Sequence, residues 1–273
     1  MQLIKSKIEP LICDNYKKAI EIAGRTCYQS SDKITDDSAD KFVNMIIEYG
    51  HNAMLEFGTI YLEVPVESTI PVQANTWYKY EHNKYSSGGK ICDNGKIAYT
   101  TNYRVLIENN SLDDLQYICK PTIYHDKRFS VRITCSRAIA NELVRHRIFS
   151  FAQESTRYCN YSTNKFNHEL TFITPTWFDN NYISPIAKTI FINTCEKSEK
   201  NYNYMIESMK MTPQQVRDIL PLSLKTEIVM CGFVSDWIKF FKLRDLYSNA
   251  HPDMKIIVED IKKAMFNEFK ELQ

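Results

Sequence analysis

The sequence has few glycines and no closely paired cysteines, and both features narrow what the protein can be. Only seven glycines occur among 273 residues, and neither G-x-G-x-x-G nor G-x-x-x-x-G-K-[ST] is present. The common backbone cradles for dinucleotides and triphosphates are therefore missing. The eight cysteines are spread singly with no C-x-x-C pair, which argues against a zinc site and against a small disulfide scaffold. A reducing cytoplasm is the expected compartment.

The sequence also has no excess of charge of either sign, and it has no long hydrophobic run. Lys and Arg number 34 against 33 for Asp and Glu, a net charge of +1, whereas nucleic-acid-binding proteins usually carry a broad positive surface. No segment approaches the length that spans a bilayer, and residues 1–18 do not resemble a targeting signal. We expect a protein that binds neither nucleic acid nor membrane.

Hydrophobic periodicity predicts an α+β protein in which helices pack around a smaller mixed or antiparallel sheet. The expected helices are 14–28, 38–49, a short one over 111–119, 136–147, 236–247 and 252–272, and the expected strands are 59–66 and 129–134. Gly50 ends the second helix as a residue that tolerates positive φ. Ser136 is the expected N-cap of its helix, and Thr212 begins a further helix with a capping box.

The segment from Glu142 to Arg147 combines an acid with an Arg-His-Arg run. On a helix, Glu142 and Arg145 are three residues apart and share a face, so that both can address one ligand. Arg147 points nearly the opposite way. An isolated Arg-His-Arg run at the end of a helix usually does no more than complement the helix dipole.

The residues that follow this run make a ligand site the better interpretation. If residues 152–158 are extended, Gln153, Ser155 and Arg157 point to one side. An amide, a hydroxyl and a guanidinium together suit a pyrimidine edge and a phosphate. Ser155 is expected to position a ligand and not to act as a nucleophile, because no neighbouring base is visible to activate it.

Arg244 lies on a helix face that is otherwise aromatic. Trp237, Phe240, Phe241 and Arg244 are spaced i, i+3, i+4 and i+7, so Arg244 is expected to point along the aromatic stripe and not towards solvent. A guanidinium in such a place needs a partner, either a structural ion pair or a ligand. Arg217, on a short helix, is more often simply solvated. Four further histidines do not have the spacing of metal ligands, and we assign them no role: His82, His125, His168 and His251.

Taken together, these segments resemble the flavin-dependent thymidylate synthases (ThyX). The family signature is Arg-His-Arg followed by seven residues and a serine, which Arg145, His146, Arg147 and Ser155 match. Further similar landmarks, in the same order along the chain, are Gly50-His51 with Glu56, Glu142, the S-x-R-Y of residues 155–158, Val216–Pro221 with Thr226, and Phe241–Arg244. Ordered co-occurrence of this kind is more specific than one motif.

The resemblance implies a cytoplasmic methyltransferase of nucleotide biosynthesis that converts dUMP to dTMP. Methylenetetrahydrofolate would supply the carbon, FAD the hydride and NADPH the reducing equivalents, in a homotetramer with shared active sites. The residues that it assigns to FAD are His51, Glu56, Arg145, His146 and Arg147. Those that it assigns to dUMP are Glu142, Arg145, Gln153, Ser155, Arg157, Arg217 and Arg244. Arg244 is the catalytic candidate, because a fixed charge at the pyrimidine's N3 and carbonyl edge polarises the ring.

The chain also departs from the family pattern. Gly232, Phe233, Val234 and Ser235 stand where the family has an asparagine and an arginine, and Lys239 replaces a polar flavin contact. We expect a single ThyX-like domain over 1–273 with a strand-rich insertion within 66–130. Two alternatives remain open: a related enzyme that modifies another uracil nucleotide at C5, and a homologue that binds flavin or nucleotide without turnover.

Overall fold

Three sheets organise the part of the chain that the computed structural model describes, residues 1–65 and 78–269. The helices are α1 (Tyr16–Tyr28), α2 (Ser38–Glu48), α3 (Tyr78–Glu81), α4 (Tyr103–Glu108), α5 (Arg137–Leu143), α6 (Pro185–Glu207), α7 (Pro213–Val216), α8 (Val234–Arg244) and α9 (Pro252–Glu268). The strands are β1 (Gln2–Ile4), β2 (Lys7–Pro10), β3 (Thr59–Pro65), β4 (Ser87–Ile91), β5 (Lys96–Asn102), β6 (Arg128–Ser136), β7 (Ser150–Gln153), β8 (Thr171–Ile173) and β9 (Lys225–Phe233). The expected α+β class is confirmed.

The largest sheet is antiparallel, with the strand order β2-β6-β9-β7. β6 and β9 pair over nine residues, from Arg128 opposite Phe233 to Ser136 opposite Lys225. One face carries the main core with α5, α8 and α9, and α1 packs on the other face. Burial on both faces explains why the middle of β9 reads as a continuous apolar run and not as an alternating one.

The second antiparallel sheet has the order β3-β5-β4, and its strands β4 and β5 lie within the predicted insertion. β3 alternates between buried and half-buried residues, as its sequence pattern predicts. Residue 66, the last of the expected strand, lies outside the described residues. The third sheet is the short parallel pair of β1 and β8.

Most of the expected helices are confirmed, with small shifts in their ends. Asn15 caps α1 by accepting hydrogen bonds from two backbone amides, and Gly50 follows α2 with φ +68°. The segment 111–119 forms only a 3-10 helix, Leu112–Tyr117. α9 ends at Glu268, and the expected end at residue 272 lies outside the described part of the chain.

The helix expected over 136–147 ends early, and that prediction is wrong in its C-terminal turn. Ser136 is its N-cap, as expected, because its hydroxyl accepts from the Ile139 amide at 3.3 Å. After Leu143 the amides of Arg145 and His146 bond to carbonyls three residues back, which tightens the chain into turns. The turn lets Phe149 return to the core, and β7 begins at the next residue.

The longest described helix, α6, has no clear signal in the sequence. Only Cys195, Ser198 and Tyr202 are buried along its 23 residues, while Ile186 and Ile190 are exposed. Its apolar residues therefore do not form one stripe of helical spacing. Within residues 1–65 and 78–269, we find no helix that combines the length and apolar character needed to cross a membrane.

Replacing Gly232 with alanine should destabilise the fold, because an added Cβ would lie 2.4 Å from Cδ1 of Phe149. Phe149 has little room to move, since its ring centroid is 4.7 Å from that of Trp237. We expect Gly232→Ala to lower the free energy of unfolding by about 1–3 kcal/mol, measured by urea titration. Phe149→Leu should relieve the clash, so an equal cost of Gly232→Ala in both backgrounds would contradict this explanation.

Candidate functional site

Arg244, at the end of α8, joins two residues from the predicted motif. Its Nε donates to Nε2 of His146 at 3.0 Å, and its NH1 donates to Oε2 of Glu142 at 3.1 Å. The His146 ring meets the Phe240 ring edge to face, with centroids 4.8 Å apart. The Arg244 side chain is 24% exposed. The expectation that Arg244 lies along the aromatic stripe and has a partner is confirmed. Within the chain, this partner is Glu142, with which Arg244 forms an ion pair.

The hydrogen bond from Arg244 determines the state of His146. Because a guanidinium only donates, Nε2 of His146 must accept, and a neutral ring then carries its proton on Nδ1. Burial, and after it the positive charge of Arg244, lowers the pKa of His146 below its ordinary value. His146 is therefore a neutral acceptor that helps to orient Arg244.

Arg145 and Arg147 are exposed on the turn that follows α5. Neither guanidinium forms a hydrogen bond or ion pair with any residue that the structure describes. The expectation that Arg145 shares a helix face with Glu142 is wrong, because the helix has already ended and Glu142 contacts Arg244 instead. Two free guanidiniums beside a fixed Arg-His pair suit an anionic group such as a diphosphate.

Glu56 lies close to this turn, although both of its carboxylate oxygens already have partners. Oε1 accepts from NH1 of Arg104 at 2.6 Å, and Oε2 accepts from the hydroxyl of Ser150, the first residue of β7. The carboxylate is buried, so it anchors the start of β7. Sequence reasoning missed Arg104, which lies within the expected insertion. His51 is exposed beside Tyr49, with ring centroids 6.2 Å apart.

A second set of predicted residues follows the other end of β7. Gln153 donates to Oγ1 of Thr226 at 3.4 Å. The segment 152–158 is extended only at its start: the amides of Tyr158 and Cys159 bond back to the Ser155 carbonyl and form a turn. The prediction of a continuous extended face is therefore wrong, and Arg157 turns aside to donate to Gln214 at 2.7 Å.

Arg217 lies near this second set, directly after the last residue of α7. Its side chain is exposed, and its Nε is 3.9 Å from Oδ1 of Asp218, a weak surface pair. Because Gln214 belongs to α7, the bond from Arg157 brings the Ser155 turn and the Arg217 segment together. Ser155, Arg157 and Arg217 thus lie on two segments that contact each other.

A buried charge network supports the turn that carries Ser155. Glu154 is 1% exposed and accepts from Nζ of Lys225 at 2.9 Å, from the Tyr161 hydroxyl at 2.8 Å and from the Glu227 amide at 3.0 Å. Burial lowers the pKa of Lys225, but Glu154 and Glu227 raise it by more, so its ammonium stays charged. No motif in the sequence indicated this network.

The two sets of predicted residues lie off opposite ends of β7. Ser150 pairs with Cys231 and Gln153 with Ile228, and four extended residues span about 10–13 Å. Glu142, His146 and Arg244 group at the Ser150 end, with Arg145 and Arg147 beside them, whereas Ser155, Arg157 and Arg217 group beyond the Gln153 end. Within one chain, the two sets are therefore separated by the length of this strand.

A cavity of about 580 Å³ lies elsewhere, between α1, β3 and β6. Tyr16, Tyr61, Arg128 and Phe129 are among the residues that line it, and none of the residues predicted from the sequence does. The candidate site is therefore located by its charged side chains and not by the depth of this cavity.

A family model matches the part of the chain that contains both the Arg-His-Arg run and Arg244. The model of a family described as thymidylate synthase complementing protein matches residues 119–271. A flavin-dependent thymidylate synthase of Corynebacterium diphtheriae is 22% identical over 253 residues, which cover 87% of this chain and 69% of that protein. A probable flavin-dependent thymidylate synthase of Paramecium bursaria Chlorella virus 1 is 30% identical over 129 residues, which cover 45% and 59%.

Two solved structures of the UMP/dUMP methylase PolB from Streptomyces cacaoi are also similar over most of the chain. The structure bound with 5-Br dUMP has 13% identity and a TM-score of 0.46, covering 98% of this chain and 93% of that one. The structure bound with 5-Br UMP has 12% identity and a TM-score of 0.47, covering 98% and 92%. Likeness at this level carries no inference about ligands.

Acidification should weaken the contact between His146 and Arg244. Since the folded pKa of His146 lies below its ordinary value of 6.5, its contribution to stability is present above that pH and is lost as the pH falls towards the folded pKa. We expect the free energy of unfolding to fall more in wild type than in His146→Gln between about pH 7 and about pH 5. His125, whose pKa burial also lowers, is present in both proteins, so parallel curves would contradict the assignment to His146.

Proposed function

Because the chain belongs to the thymidylate synthase complementing protein family, we propose that it is a flavin-dependent thymidylate synthase that methylates dUMP reductively to dTMP. The observation that carries this proposal is the Arg244–His146–Glu142 cluster beside the free Arg145 and Arg147. The family match includes all of these residues. Methylenetetrahydrofolate would donate the carbon and NADPH would be the reductant.

The residues of the Arg-His-Arg turn fit FAD. With so few glycines, side chains must hold the phosphates, and Arg145 and Arg147 present free guanidiniums that bind phosphate oxygens bidentately. We assign His146 to the same ligand, and His51 and Glu56 to its neighbourhood. Bound FAD supplies the hydride.

The second set of residues fits dUMP. Arg157 and Arg217 would bind the 5′-phosphate, because guanidiniums stay charged at any working pH. Gln153 and Ser155 offer an amide and a hydroxyl for the nucleotide's polar edge.

Arg244 and Glu142 would act at the pyrimidine ring. Contacts with Glu142 and His146 occupy two of the five N–H groups of Arg244 and leave three for a ligand. Because these contacts already fix the guanidinium, its charge can stabilise electron density on the uracil ring without reorganising.

We further propose that the active form is a cytoplasmic homotetramer in which the two sets of residues come from different chains. Within one chain, the two sets lie at opposite ends of β7. This separation supports an arrangement in which each active site takes one set from each of two chains. An active site completed by a neighbouring copy would unite them. No nucleic acid or membrane takes part in this proposal.

Arg244→Ala should lower dTMP formation by at least about 100-fold, because it removes a fixed charge from the reacting ring. The assay is anaerobic incubation with dUMP, methylenetetrahydrofolate, FAD and NADPH, and FAD should remain bound. Lys242→Ala is the control, since Lys242 is exposed on the same helix. Unchanged turnover would remove Arg244 from this role. Preferred turnover of UMP would identify the alternative substrate, and bound flavin without any turnover would identify a binding protein.

Co-expression of Arg244→Ala with Arg217→Ala should restore activity that each variant lacks alone. If the two sets come from different chains, random mixing leaves both Arg217 and Arg244 intact in about a quarter of the active sites. Differently tagged chains, purified in tandem, ensure that only mixed oligomers are assayed. Mixed oligomers with no activity above that of the single variants would contradict shared sites.

A further inference from the structure

The predicted insertion within 66–130 supplies a guanidinium to the segment that holds the start of β7. NH1 of Arg104 donates to Oε1 of Glu56 at 2.6 Å, and the Ser150 hydroxyl donates to the other oxygen of the same carboxylate. Glu56 and Ser150 are buried, and the Arg104 side chain is 26% exposed. One carboxylate therefore joins the insertion to the residue that begins β7.

The pairing of β3 with β5 explains why Arg104 meets Glu56. Asn102 ends β5 opposite Thr59, the first residue of β3. α4 begins at the residue after Asn102, so it starts beside the chain that precedes β3, the 3-10 helix Asn52–Phe57 that contains Glu56. The strand register thus places Arg104 within reach of Glu56.

Further contacts within the insertion fix the Arg104 guanidinium. Its Nε donates to Oε1 of Glu108, one turn further along α4, at 2.8 Å. Its Cζ is 5.4 Å from the centroid of the Tyr85 ring, a distance at which a cation is attracted to an aromatic face. Because its own segment holds it in place, Arg104 presents a fixed charge to Glu56.

We propose that Arg104 is a positioning residue for the Arg-His-Arg turn and acts on it through Glu56 and Ser150. A buried carboxylate needs a partner that offsets its charge, and Arg104 supplies one. Ser150 lies three residues after Arg147, so fixing Ser150 limits where the turn can lie. The consequence for flavin rests on the proposed function, in which this turn holds the FAD phosphates.

The two ends of β7 have separate anchors, which makes the role of Arg104 specific to one of them. Glu56 holds Ser150 at the start of the strand, whereas Glu154 with Lys225 holds the segment that follows its end. Loss of Arg104 should therefore loosen the turn assigned to FAD and leave the residues assigned to the dUMP phosphate in place. A general loss of stability would affect both.

The first test is FAD binding to the whole chain, measured by flavin fluorescence, together with the KM for dUMP. Arg104→Ala should raise the Kd for FAD by about 10-fold, because a hydrogen bond to a charged group is lost, and should leave the KM unchanged. Arg104→Lys keeps the positive charge and should restore part of the affinity. Glu108→Gln is the control, since it removes the other ion pair of Arg104 and leaves the bond to Glu56.

Two outcomes of this test overturn the proposal. One is wild-type affinity for FAD in Arg104→Ala, and the other is a rise in the KM for dUMP as large as the rise in the Kd for FAD. The path through Ser150 has its own test. The effect of Arg104→Ala on FAD binding should be much smaller in the Ser150→Ala background, and effects that simply add would contradict this path.

Amide hydrogen exchange in the ligand-free chain tests the position of the turn without flavin. Arg104→Ala should speed exchange over residues 147–151 and leave β8 unchanged. Failure of wild type to bind FAD would count against the proposed function, and this exchange result would then decide the role of Arg104. Unchanged exchange over 147–151 overturns that role. Arg104→Gln provides the same comparison if Arg104→Ala does not fold.

Discussion

The nine-residue antiparallel pairing of β6 with β9 is the constraint on which the candidate site depends. α5 follows β6 directly and α8 follows β9 directly, and the two helices share one core on the same face of the sheet. That shared core brings Arg244 within hydrogen-bond distance of His146 and Glu142, which are 98 and 102 residues away in the sequence. Pairing of β7 with the same strand then fixes where the two sets of polar residues lie.

These charged residues differ in how firmly the structure holds them. Arg244 is held in place by an acid and a neutral histidine, and the buried Glu56 and Glu154 each anchor one end of β7. The exposed guanidiniums of Arg145, Arg147 and Arg217 remain available to anions. In the proposed function, the fixed charge would act at the reacting ring and the free charges at the phosphates, as expected when cofactors perform the difficult chemistry and the protein positions them.

Local signals in the sequence were sufficient where one element determines the outcome. The cap at Ser136, the positive φ of Gly50 and the aromatic stripe that carries Arg244 all follow from spacing within a single helix. The early end of α5 could not be predicted, because it depends on Phe149 returning to a core built from distant segments. Arg104 with Glu56 and Lys225 with Glu154 likewise depend on contacts between separate elements, and the sequence carries no mark of them.

The most direct test of the central claim is an experimental structure of the oligomer with dUMP and FAD bound. We expect one bound dUMP to contact Arg244 from one chain and Ser155 and Arg217 from a neighbour, with the Arg-His-Arg turn on the flavin. A structure in which these two sets of residues face separate surfaces, with no ligand between them, would contradict it.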